Sequence, residues 1–397
     1  MNYRSANLRK IIVYSAVVIV FIYNLFPVVS VLYDDPTYFP NDVSKLEHTA
    51  PNVTRFFLPN IAIVVVVTEN TKMETYAKAI ISVSCYAKVQ NYSFRILNSG
   101  QYRHNCTQKD KFLQRHCIVA NTLDSFDYIL FIDADMGVVN PERRIEEYLD
   151  SKADIIFYDR FYNWEIAAGS YLVKNTEWSQ KFLHGFANYE QRLPKSFHGT
   201  DNGALHVYIA ELLLPKNHTG LRLCVEIYAK SKGYGDLFLY EACIRHIIGD
   251  HLYYGKIKIL PKGVAWTRDN WITNSFWNKE RDFFIHGWKD KQLQAYSSIP
   301  VLSVSPSRGK WYNPLSGPIH LSLCSNRNTT WRYDKNLIAS KNDINKVLRE
   351  FAEKVNQKKL ATLQNLYEVA RKSNRTKVDN NFFPPKNTSL KGITPRI

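Results

Sequence analysis

The stretch FDYILFIDADMGVVNP, Phe126 to Pro141, decides how this chain reads. An apolar run from Tyr128 to Ile132 ends in two carboxylates, Asp133 and Asp135, with one residue between them. Such a run reads as a strand. On a strand, a spacing of two points both side chains to one side. In open α/β sheets ligands bind beyond the carboxyl ends of the strands. Two hard oxygen ligands there suit Mn²⁺ or Mg²⁺ shared with a phosphate group. An isolated Asp-x-Asp is common and reads as a polar turn; the strong apolar run before it favours the ligand reading.

Working outward, strand and helix patterns alternate. Ile61 to Thr68 is a β-branched run, followed by helical spacing in METYAKAIISVSCYAKVQ. YSFRIL reads as a strand, KFLQRHCIVANTL as a helix, and FDYILFIDADMGVV as a third strand. After Asn140-Pro141 come a short helix in ERRIEEYLD, strands in ADIIFYDR and EIAAGSYLVKN, and a helix in WSQKFLHGFANYEQRL. GALHVYIAELLL and LFLYEACIRHIIG are helical, KIKILPKG is a strand, and DFFIHGW runs from strand into loop. Residues 342–371 form a charged amphipathic helix or helix pair, and the tail after Asn374 reads as loosely ordered. The alternation predicts an α/β domain with a mostly parallel sheet flanked by helices.

The 397 residues carry a net charge of +16, with 45% hydrophobic and 22% charged residues. That composition is globular and excludes wholesale disorder. The positive charge is spread along the chain without a nucleic-acid-binding fingerprint, so nucleic acid is not expected as a partner. The segment Ile11 to Tyr33 is uncharged and exceeds the roughly 20 residues that span a bilayer. Arg4, Arg9 and Lys10 precede it and Asp34 and Asp35 follow, which predicts a cytosolic tail over 1–10 and a luminal remainder. The competing reading is a cleaved signal peptide, with Pro27, Val28 and Ser30 near the cleavage site. Residues 34–59 read as a stem, 60–335 as the catalytic domain and 336–397 as a helical extension and tail. Asn52, Asn91, Asn105, Asn217, Asn328, Asn374 and Asn387 each begin an N-x-S/T sequon. Six cysteines without a CxxC pair fit disulfides in an oxidising compartment, or buried thiols.

The stretch around Asp133 and Asp135 resembles the DxD strand of GT-A-fold (Rossmann-like) nucleotide-sugar transferases. AAGSYLVKNTEWSQKFL, Ala167 to Leu183, is similar to a segment of the Golgi galactosyl/mannosyltransferase family, which includes xyloglucan xylosyltransferases. HGTDNGALHVYIAELL, His198 to Leu213, resembles that family's acidic–polar segment leading into a helix, and FFIHGWKD, Phe283 to Asp290, its late His-Gly segment. SFHGTDNGALH also resembles a nematode-expanded family recorded only as a domain of unknown function, read here as a divergent branch of the same transferases. The late motif departs from the family's spacing after His286, and Pro215 to Gly263 has no counterpart.

The resemblance implies a type II Golgi membrane glycosyltransferase that moves a sugar from a nucleotide donor to a glycan, glycoprotein or glycolipid acceptor. Asp133 and Asp135 would bind Mn²⁺ (or Mg²⁺) and the donor diphosphate, with His286 as third ligand. Gly169 and Ser170 would let the backbone approach the sugar, or form a tight bend. Asp201 and Asn202 would hydrogen-bond the reacting sugar, unless Asp201 caps the following helix. Lys289 would touch the diphosphate, and Thr68, with Glu69, would lie by the nucleotide base. Galactose on UDP comes first, with UDP-xylose and GDP-mannose behind, and retention of anomeric configuration is carried over from the family. Trp266, Arg268, Asp269 and Trp271 form a cluster that fits either acceptor contact or ordinary packing. A non-catalytic sugar- or partner-binding module on the same fold is the alternative, and a luminal phosphohydrolase a third. No GxSxG, HExxH, P-loop or GxGxxG signature is present.

Overall fold

The computed structural model describes residues 58–293, 295–296, 298, 300–303, 312–325 and 331–372. The expected anchor at 11–33, nearly all of the stem and the tail after Asn374 lie outside these residues. No described helix is long and apolar enough to cross a membrane.

Strands β1 (Ile61–Val67), β2 (Ser93–Asn98) and β3 (Tyr128–Phe131) make up one side of a seven-stranded sheet, with helices α1 (Ala77–Gln90) and α2 (Lys111–Leu123) between them in sequence. β4 (Met136–Val138) leaves that sheet, and β5 (Ile155–Tyr158) and β6 (Tyr171–Lys174) return to it. Helices α3 (Glu177–Ala187), α4 (Thr200–Leu213), α5 (Thr219–Ala229) and α6 (Tyr234–Ile248) follow, then β7 (Tyr253–Tyr254), β8 (Ile257–Leu260), β9 (Thr267–Asp269), β10 (Phe284–His286) and the long helix α7 (Lys341–Lys372).

The large sheet has the order β2-β1-β3-β6-β5-β8-β7. β1 pairs in parallel with β2 and β3, and β5 with β8. β6 runs antiparallel between β3 and β5, and β7 is antiparallel at the edge. The sheet is therefore mostly parallel, with a reversed strand near its centre. The β-branched run of β1 is explained by burial on both faces. Ala62 and Val64 enter one core with Ile129 and Phe131, while Ile61, Ile63 and Val65 enter the other with Leu130 and Ile132.

The third strand is not one element: β3 ends at Phe131, the chain turns, and β4 joins a separate three-stranded sheet of order β4-β10-β9. The Asp-x-Asp pair therefore sits on a turn between sheets, not on a pleated strand. Residues 219–229, where no helix was expected, form α5, capped by the His218 side chain at the Leu221 N–H. Residues 341–372 are one helix rather than a pair, with Ile344, Leu348 and Ala352 packed against Phe161, Ile272 and Phe276. The six cysteines pair as Cys85–Cys324, Cys106–Cys117 and Cys224–Cys243.

Candidate active site

The turn after β3 is set by its backbone. The Met136 N–H donates to the Asp133 carbonyl at 3.0 Å, and the Gly287 and Trp288 N–H groups donate to the Asp135 carbonyl at 3.1 and 2.8 Å. The antiparallel register of β4 and β10 places His286 opposite Met136. Segments 150 residues apart in sequence thus meet with their polar side chains converging. Ligand atoms of Asp133, Asp135 and His286 all lie within 4.8 Å of one another, a group that could hold a metal ion.

The donor set fits a divalent cation. Two carboxylates and one imidazole are acceptable to Mn²⁺. His286 Nδ1 lies 3.0 Å from Asp269 Oδ1, while Nε2 lies 3.3 Å from Asp135 Oδ1. A carboxylate behind the ring fixes the tautomer and leaves the other nitrogen to a metal. Lys289 Nζ sits 3.1 Å from Asp135 Oδ2. Burial opposes charge on His286, but Asp135 and then Asp269 outweigh it and push the imidazole up to about 10. Burial raises Asp133 more than Arg115 lowers it, whereas His286 and then Lys289 overcome the burial of Asp135 and hold it low. The positive charge that the carboxylates demand comes from His286 and Lys289; a divalent cation would take over that role, held by the neutral imidazole.

Arg115, on α2, was not singled out from the sequence, and it organises the site. Its Nη1 pairs with Asp133 Oδ1, and its Nε and Nη2 donate to Asp201 Oδ2 at 3.1 and 2.5 Å. Neighbouring His116 is fully buried, and burial holds it down at about 4, so it is neutral. A carboxylate only accepts, so His116 Nε2–H donates to Asp201 at 3.2 Å and Nδ1 accepts from the Tyr171 hydroxyl at 3.1 Å. The available signal was a polar Arg-His pair inside an otherwise apolar helical face.

The other expected residues divide. Asp133, Gly169, Asp201, Asn202 and His286 line one cavity of about 680 Å³, together with Arg160, Phe112, Tyr162, Phe197, Tyr234 and others. A Cβ at Gly169 would land on Asp133 Oδ2, so only glycine lets the backbone pass this close. Asp201 is 1% exposed, and its other oxygen accepts from the Thr200 hydroxyl and the Asn202 N–H. Gly199, in the left-handed region, occupies the cap position of α4. Both Asp201 oxygens are thus spent on the protein, and the residue positions Arg115. Asn202 Oδ1 accepts from the Ala168 N–H. Ser170 is fully buried and accepts from the Trp266 indole at 2.9 Å. Thr68 and Glu69 line a neighbouring groove of about 530 Å³ with Arg103, Lys109 and Lys111. Trp266, Arg268 and Asp269 are buried and Trp271 packs edge-on to Phe351, so that cluster is packing, apart from the contact of Asp269 with His286.

Residues 83–303 match a family described as "Protein of unknown function, DUF273". The chain belongs to that family. No curated protein matches the DUF273 chain in sequence. Among solved structures, a glycosyltransferase involved in glycosylation of the major capsid of PBCV-1 aligns at 13% identity and a TM-score of 0.35, over 57% of this chain and 93% of that one. The glycosyltransferase GlyE of Streptococcus pneumoniae TIGR4 aligns at 15% identity and 0.26, over 36% of this chain and 42% of that one. The catalytic domain of Drosophila β1,4-galactosyltransferase 7 aligns at 17% and 0.22, over 32% and 51%. The DUF273 chain spans under half of the second and about half of the third.

Proposed function

We propose that the protein is a metal-dependent glycosyltransferase that moves a sugar, galactose before xylose or mannose, from a nucleotide donor, UDP-linked first, to a glycan acceptor. The observation that carries this reading is the Asp133–Asp135–His286 triad, two members of which, Asp133 and His286, line a cavity large enough for a sugar. A divalent cation held there would neutralise charge on a departing diphosphate. Lys289, paired with Asp135, would add a second positive charge for those phosphates, and Arg115 fixes the Asp133 carboxylate. The groove beyond Thr68 and Glu69 opens at the same end of the parallel strands, where a nucleoside would lie. Because Asp201 is fully engaged, a front-face reaction with retention suits the site better than attack by that carboxylate.

The expected setting is the Golgi lumen, with the chain anchored through residues 11–33. Three disulfides support an oxidising compartment, and the sequon residues Asn91, Asn105 and Asn217 are exposed. The test is a donor screen with the purified chain, with Mn²⁺ and with chelator. Metal-dependent transfer from one nucleotide sugar supports the reading. Sugar released only to water would favour a hydrolase, and no turnover with tolerated Asp133→Ala and Asp135→Ala would favour a binding module.

A further inference from the structure

Among the described residues the exposed large aromatic side chains are Phe112, Phe197, Tyr234 and Tyr253. Tyr253 is accounted for, since its hydroxyl donates to Asp150 at 2.6 Å. The other three, 38%, 36% and 65% exposed, all line the cavity that Asp133 and His286 of the candidate metal triad also line. Their sequence positions lie far apart, so this clustering is a product of the fold. Rings left in water forgo burial that elsewhere stabilises the protein. Rings gathered at one cavity are a surface suited to a ligand with an apolar face.

The rings are held in place. Phe197 and Tyr234 meet edge to face at 5.0 Å, and Tyr234 leans on Phe238 at 5.9 Å. The Phe197 N–H donates to the Ser231 carbonyl at 3.0 Å. Two chains of contacts connect the rings to the triad. On one wall Asp133 pairs with Arg115, whose guanidinium lies 5.3 Å over the Phe112 ring. On the other, His286 bonds Asp269, Asp269 pairs with Arg160, and Arg160 lies 4.6 Å over the Tyr162 ring, which meets Phe238. Charges lining the cavity are thus matched among themselves near the triad. The aromatic end carries hydroxyl-compatible groups, Ser196 and His198, and no carboxylate.

We infer that Phe197 and Tyr234, in the cavity that Phe112 also lines, form an acceptor subsite that stacks the apolar face of a neutral sugar ring. This rests on the transferase reading and adds the class of acceptor. Preordered rings bind a sugar face at low entropic cost, and the arginines lining the cavity, Arg115 and Arg160, are paired with carboxylates, while the Lys111 ammonium over the Phe112 ring lines the neighbouring groove; that disfavours sialic or uronic acids.

The test uses the full chain with Mn²⁺ and UDP. It is titrated with lactose, N-acetyllactosamine, xylobiose and mannobiose, with sialyllactose as the anionic comparison. Wild-type protein is expected to bind at least one neutral disaccharide more tightly than sialyllactose. Phe197→Ala and Tyr234→Ala are expected to weaken that binding at least about tenfold, Phe197→Tyr to retain it, and both alanine variants to keep the Kd for UDP with Mn²⁺ within about twofold. Disaccharide binding unaffected by either alanine variant, no binding of any neutral disaccharide by wild type, or preference for sialyllactose would overturn the inference. A large loss of UDP affinity in the alanine variants would also overturn it, by assigning the rings to the nucleobase. Loss of Mn²⁺-dependent UDP binding in wild type, with ring-dependent disaccharide binding intact, would instead remove the transferase reading and leave the subsite standing.

Discussion

His286 Nδ1 lies 3.0 Å from Asp269 Oδ1, on the opposite side of the ring from Asp135. Asp269 is 6% exposed and also meets Arg160, so it holds the imidazole by a fixed charge. Losing such a supporting carboxylate typically lowers metal affinity about 10- to 100-fold. Asp269→Asn should therefore weaken Mn²⁺ binding by that factor, read by calorimetry on the folded variant. Equal Mn²⁺ affinity in the variant would remove the positioning role.

Arg115 neutralises Asp133 and Asp201 together. Removing one partner of a buried pair leaves an uncompensated charge and costs about 3–5 kcal/mol. Arg115→Ala should lower unfolding free energy by an amount of that order in denaturant titrations. Arg115→Lys should recover only part of it, because a single ammonium does not reproduce the planar fork that reaches both carboxylates. A loss under about 1 kcal/mol for the alanine variant would show that the pair is not a structural bond.

Gly169 has no room for a side chain beside Asp133. Gly169→Ala should push the carboxylate off Arg115 and out of line with Asp135. Mn²⁺-dependent nucleotide affinity is expected to fall by about tenfold or more, near 1.4 kcal/mol. Wild-type affinity in Gly169→Ala would mean that Asp133 can yield without consequence.

Acid should destabilise the fold through two buried aspartates. Burial raises Asp282, but Arg268 and then Arg281 outweigh it and hold the carboxyl at about 2; burial of Asp201 is likewise outweighed by Arg115 and then His116, again to about 2. A carboxylate whose folded value is depressed stabilises the protein above its unfolded value near 3.9, and that contribution is lost as pH falls toward about 2. Each is worth on the order of 2 kcal/mol, so stability should be flat with respect to these groups above pH ~5 and fall between about pH 4 and 2. Asp282→Asn should flatten part of that slope in urea titrations taken at several pH values. An unchanged slope would contradict the assignment.

Much of the fold was legible because burial on both faces leaves a mark in the chain. The β-branched run of β1 and the apolar run into Asp133 have one physical cause. Convergence of Asp133, Asp135 and His286 was legible only through family resemblance, since no local pattern links β4 to β10. The turn at Asp133 reads as strand from sequence because Met136 to Val139 is also apolar, although it serves a second sheet. Arg115 escaped notice because a buried arginine on a helix is recognisable only once its two carboxylates are in place. The aromatic rim comes from three separate segments, and no spacing rule could join them.

The central claim is that Asp133, Asp135 and His286 grip a cation that holds a nucleotide's diphosphate. Calorimetric titration of UDP into the purified chain tests it most directly, with Mn²⁺, with chelator, and with Asp133→Asn or Asp135→Asn. Binding that requires Mn²⁺ and falls at least about a hundredfold, near 2.7 kcal/mol, in both variants is the predicted result. UDP binding of equal affinity with chelator, or in either variant, would contradict it.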